Sequence, residues 1–208
     1  MIGLEKIFIG IAGKHTDNSS LTHQLWREIS EFYASPGRFY HTLSHLEKII
    51  MELKGVEEYI SDWDTILFST FYHDIVYNVQ NDNNEEDSAE LAAERLNQIS
   101  YPQHKVEHCI SQILTTKGHA ITEDLDTNLF IDADLAILGQ EWDAYYTYSE
   151  QVRKEYAIYS DAQYKAGRKK VLEYMLSMKQ LYKTECFIQK YEEKARKNIQ
   201  HEIQILEK

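Results

Sequence analysis

Three short stretches of this chain place imidazole and carboxylate groups inside otherwise apolar sequence. "FYHDIVY" (71–77) sets His73 beside Asp74, and "YHTLSHLEKII" (40–50) sets His41 and His45 one helical turn apart, ahead of Leu46, Ile49 and Ile50. "FIDADLAILG" (130–139) encloses Asp132 and Asp134. A buried ionised carboxylate costs several kcal/mol unless it is paired or bound to a metal. Structural accident explains one such site easily and three poorly. Imidazole and carboxylate together suit a divalent metal ion (Mn, Mg, Co, Fe or Zn), and no cysteine lies nearby to make a thiolate site. A zincin helix is a poor alternative, because it needs Glu directly after the first His, and His41 is followed by Thr42.

Helices must position these groups. The chain has 208 residues with only 2 Pro and 8 Gly, and its apolar residues recur at helical spacing with no convincing period-two strand. The pattern predicts helices over 21–33, 42–53, a third starting at an Asp62 cap and running into the His73–Asp74 pair, then 85–98, 103–116, 126–138, 142–160, 164–177 and 184–206. No linker, repeat or low-complexity segment interrupts them. The expected architecture is all-α, a single domain over 1–208, with a metal-site core over 20–140 and C-terminal helices over 141–206 packed on it.

Composition narrows the partners. A net charge of −12 offers no basic surface to a nucleic-acid polymer or an anionic membrane. The N-terminal "MIGLEKIFIGIAG" carries Glu5 and Lys6 and is too short to span a bilayer. Cys109 and Cys186 show no ligand spacing, and the expectation is two free thiols in a soluble, cytoplasmic protein, either monomer or homodimer.

At this point the ordered set His45 … His73–Asp74 … Asp132 resembles the HD superfamily of metal-dependent phosphohydrolases. More narrowly, "R-x-Y-H-x-L-x-H", "F-Y-H-D-I-V-Y", "N-E-E-x-S-A", "D-A-D-L-x-I-L-G", "V-R-x-E-Y" and "A-R-x-N" look like a bacterial group of predicted HD-superfamily phosphohydrolases, over residues 20–206. The resemblance implies an all-α fold with one or two divalent metals in a central cleft, held by His45, His73, Asp74 and a carboxylate from "DADL". Asp132 and Asp134 point in nearly opposite directions on a helix, and periodicity does not choose between them; the resemblance favours Asp132.

The implied activity is hydrolysis of a phosphoester or phosphoanhydride in a small phosphorylated substrate, a nucleotide by family habit. The rival is a regulatory module that keeps the metal site and binds a nucleotide without fast turnover. In the catalytic reading Asp74, as a metal ligand, counts among the catalytic residues, and Glu85 orients or deprotonates the metal-bound water, unless Glu85 only starts a helix. Arg38 is placed to grip a phosphate bidentately, with His41, Lys117 and His119 as further substrate contacts. The cyclic-dinucleotide branch is disfavoured, because Ile75–Val76–Tyr77 follow the pair in place of its longer "HD-GYP" signature.

Overall fold

The structure, a computed structural model, describes residues 3–208, and every regular element among them is helical. Met1 and Ile2, which open the apolar N-terminal stretch, lie outside the described residues. None of the described helices is long and apolar enough to cross a membrane. The chain divides into two compact units, Met1–Phe130 and Ile131–Lys208. The division falls inside "FIDADLAILG", an apolar run whose only glycine is at its far end, so no linker composition marks it.

The first unit comprises α1 (Leu4–Ala12), α2 (Ser19–Tyr33), α3 (Leu43–Lys54), α4 (Trp63–Tyr72), α5 (Asn84–Gln98) and α6 (Gln103–Thr115), and α7 (Leu125–Asp134) runs through the division. The segment weighed only as a membrane anchor is α1, a helix whose Leu4, Phe8, Ile11 and Ala12 form a buried stripe packed on α2 and α4. Helix α4 is the axis of the unit. Every residue from Thr65 to Tyr72 is buried, as suits a helix apolar on all sides, and it touches α1, α3, α5 and α6. Phe8 meets the edges of Phe68 and Phe71 at ring separations of 6.1 and 5.3 Å, a favoured aromatic geometry.

Both ends of α4 are fixed by side chains. At its start Asp62 accepts from the Thr65 amide (3.3 Å) and hydroxyl (2.7 Å), as the sequence predicts. The buried Asp126 in turn accepts from the amides of Ser61 (2.8 Å) and Asp62 (2.7 Å). The other end comes sooner than the pattern suggested. The helix stops at Tyr72, His73 is its C-cap, and Asp74 lies in the turn that follows.

The second unit holds the 3-10 turn Leu135–Gly139, α8 (Trp142–Glu155), α9 (Asp161–Ser177) and α10 (Glu185–Leu206). Helix α8 was expected to reach residue 160 but ends at Glu155, where Arg153 donates to the carbonyls of Tyr156 (3.0 Å) and Tyr159 (3.1 Å). Ser160 and Gln163 then form a reciprocal capping box that starts α9. Helix α10 lies across the 3-10 turn, and Asn198 donates to the Leu138 and Gln140 carbonyls at 2.8 Å each. The approach is close: a Cβ on Gly139 would stand 2.5 Å from Tyr191 Cβ and 2.9 Å from its Cα. Within this unit Arg168 and Glu202 form a buried bidentate pair at 2.8 and 3.0 Å, with the Tyr145 hydroxyl donating to Glu202 and the Tyr148 hydroxyl accepting from Arg168.

Candidate metal centre

His45 reaches the centre from the first turn of α3, just past the Thr42 cap. It points inward with Leu46, Ile49 and Ile50, and is 2% exposed. His73 arrives from the end of α4 at 1% exposure, with its ring edge-on to Phe130 at 5.5 Å. Successive residues on a helix diverge by about 100°, but Asp74 has left the helix and turns its carboxylate back on its neighbour. His73 Nε2 and Asp74 Oδ2 are 3.0 Å apart, His45 Nε2 and Asp74 Oδ2 3.6 Å, and the two Nε2 atoms 3.3 Å.

These separations carry chemical meaning. The His73 Nδ1 lies 2.9 Å from the Thr70 carbonyl, which can only accept, so Nδ1 holds the hydrogen and Nε2 of the neutral ring presents its lone pair. Two imidazole nitrogens and a carboxylate oxygen therefore converge where water has little access. Two donors on one ion, each about 2.1 Å from it, stand about 3.0 Å apart in octahedral and about 3.4 Å apart in tetrahedral coordination. The observed 3.0–3.6 Å edges match that spacing, so the donor set fits a divalent cation. Among the described residues, these three form the group of His, Cys, Asp and Glu able to hold a metal. Burial alone would raise the Asp74 carboxyl; positive charge on the imidazoles around it, His73 first and then His41, holds it well below the ordinary range when those rings are protonated, and a bound cation would supply the same field with the His73 ring neutral.

His41 sits at the rim. Its Nε2 is 3.9 Å from Asp74 Oδ2, its ring lies 4.3 Å from that of Tyr77, and its side chain is 19% exposed.

Arg38 has other employment than the phosphate grip expected of it. Its guanidinium donates to the main-chain carbonyls of Asp74 (2.7 Å), Ile75 (2.7 Å) and His41 (3.2 Å), and it lies over the rings of Tyr33 and Tyr77 at 4.9 and 5.4 Å. Lys117, also expected at substrate, follows the end of α6 and donates to the Asp82 carbonyl and to Glu86, both at 2.6 Å. Glu85, in the first turn of α5, stands 3.9 Å from the same ammonium. His119 is half-buried in the loop after α6, where φ is 49° and its amide donates to the Thr115 carbonyl.

Asp132, in the second unit, is spent on a helix start. Its Oδ1 accepts from the Lys183 amide (2.7 Å), and its Oδ2 from the Thr184 amide (2.8 Å) and hydroxyl (2.6 Å), at the N-terminus of α10. The ligand role given it by resemblance competes with three hydrogen bonds that occupy both oxygens. Asp132→Ala is expected to cost about 1–2 kcal/mol, the range for loss of a helix cap, read by urea denaturation. Burial pushes its carboxyl up to about 6 against those hydrogen bonds. The folded chain then holds this proton more tightly than the unfolded chain. Its stabilising share is full below about pH 4 and lost as pH rises through about 6, so the melting-temperature gap between wild type and variant should narrow from pH 4 to 7.

Sequence inspection missed Ser88. This fully buried residue, one turn beyond Glu85 on α5, accepts from the Val76 amide (3.1 Å) and donates to the Val76 carbonyl (3.3 Å). The signal was present in "N-E-E-x-S-A": a serine at a core position of a helix needs a partner. Both cysteines are free thiols, and burial pushes that of Cys109 up to about 12. Comparison of the chain with protein-family models, with curated proteins and with solved structures gives no match.

Proposed function

We propose that this protein is a metal-dependent phosphohydrolase acting on a small phosphorylated substrate, with a nucleotide as the first class to test. The observation that carries the reading is the spacing of the His45, His73 and Asp74 donor atoms at the edge lengths of a metal coordination polyhedron. A divalent ion bound there supplies a water of lowered pKa and a Lewis acid for phosphoryl oxygens. Asp74 remains ionised and offsets part of the ion's charge. His41, at the rim, donates to a phosphate oxygen, and Glu85 is the carboxylate assigned to accept the water's proton.

The test is release of phosphate or pyrophosphate from a nucleotide panel with added Mn²⁺, Co²⁺ or Mg²⁺. Turnover is expected with metal and none after chelation; equal turnover in chelator overturns the metal role. One observation favours the rival, a nucleotide-binding regulatory module: both cations expected at the phosphate, Arg38 and Lys117, are spent on protein groups. Saturable nucleotide binding without release of product would establish that rival.

A further inference from the structure

Resting on the metal reading above, we infer that Arg38 is the positioning residue of the centre, joining the segment that carries His41 to the turn that carries Asp74. Helix α4 stops at Tyr72, so the carbonyls of Asp74 and Ile75, in the turn just past its end, meet no amide of a continuing helix. A cation is the favoured group at such an end. Arg38 provides it from 36 residues away in sequence: one guanidinium nitrogen binds the Asp74 carbonyl at 2.7 Å and the other the Ile75 carbonyl at 2.7 Å. The first nitrogen also binds the His41 carbonyl at 3.2 Å. A single planar group thus fixes main chain on both sides of the donor cluster. Its plane is flanked by Tyr33 and Tyr77, and the Tyr77 ring in turn lies against His41.

The direction of the Asp74 side chain follows from its main chain. With its carbonyl held, the carboxylate swings back to 3.0 Å from His73 Nε2. Ser88 continues the same device one residue further, taking both the amide and the carbonyl of Val76. Three consecutive residues, 74 to 76, therefore have main-chain groups tied by side chains from outside the turn. Lysine cannot reproduce this at position 38, because a point-like ammonium does not span two divergent carbonyls as a fork does.

The experiment is calorimetric titration of metal-stripped full-length protein with Mn²⁺. Groups that orient metal ligands typically contribute about 10–100-fold in affinity, and Arg38→Ala is expected to weaken Mn²⁺ binding by that factor. Arg38→Lys should stay weakened by about 10-fold although its charge is kept. Millimolar guanidinium should restore affinity to Arg38→Ala. Arg95→Ala, which breaks an ion pair to Glu28 made by its guanidinium at 2.7 and 2.8 Å, is the control for general destabilisation. It should bind Mn²⁺ as wild type does and gain nothing from guanidinium. Wild-type affinity in folded Arg38→Ala or Arg38→Lys, with normal binding in the parent, overturns this inference alone. A parent that binds no Mn²⁺ overturns the metal reading and this inference with it.

Discussion

Asp74→Ala is expected to abolish measurable Mn²⁺ binding and metal-dependent phosphate release while the protein stays helical by circular dichroism. The variant removes the one carboxylate among three converging donors and leaves two imidazole nitrogens 3.3 Å apart. The loss should exceed the roughly 100-fold upper range for residues that only orient ligands. The fold should survive because the side chain keeps 20% exposure and the turn is tied through the Asp74 carbonyl, which alanine retains. Because the folded protein favours the ionised form of Asp74, its loss should lower the melting temperature of the metal-free variant below that of the metal-free parent. Unchanged metal affinity in Asp74→Ala would sink the proposed centre.

Arg168→Met should be strongly destabilising to the second unit. The Arg168 and Glu202 side chains are 8% and 6% exposed and share a bidentate contact, and Tyr148 and Tyr145 complete the shell. Removing one partner strands the other charge in a site that cannot hydrate it, which costs about 3–5 kcal/mol. A loss of that size approaches the whole stability of a small domain, about 5–15 kcal/mol. Replacing both partners, as Arg168→Met with Glu202→Leu, should recover most of the loss, since no orphan charge remains. A urea series on the single and double variants measures this. A double variant no more stable than the single one would show that packing by the Arg168 stem, and not the charge pair, dominates.

Much of the architecture was legible because its signals are local. The Asp62 cap and the 3.6-residue stripes of α2, α3, α5 and α6 can be read within a dozen residues. What escaped inspection depends on partners distant in sequence. An arginine ahead of a histidine helix suits a phosphate grip, but the carbonyls that Arg38 binds are exposed only because α4 stops at Tyr72, which its own neighbourhood in the sequence does not reveal. Arg153 and Arg196, both in motif-like stretches, repeat the pattern. Arg153 closes the end of α8, and Arg196 donates to the carbonyls of Leu176 (3.1 Å) and Met178 (2.7 Å) at the end of α9. Asp132 shows the same limit. Its burial was plain from the apolar run, but its partner, the start of α10, lies about fifty positions on. Burial of a polar side chain is readable from local pattern; the group that satisfies it often is not.

The contact at Gly139 has a consequence for how this sequence can drift. Any side chain there meets the Cβ and Cα of Tyr191, and moving that backbone would shift α10 off the turn it covers. Gly167, by contrast, sits in α9 with open space where an added Cβ would project. In a saturation library selected for folded protein, position 139 should return glycine alone, while position 167 should accept alanine with a gain of up to about 1 kcal/mol in helix propensity. Two glycines that look alike in the sequence would then mark opposite extremes of mutational tolerance within one unit.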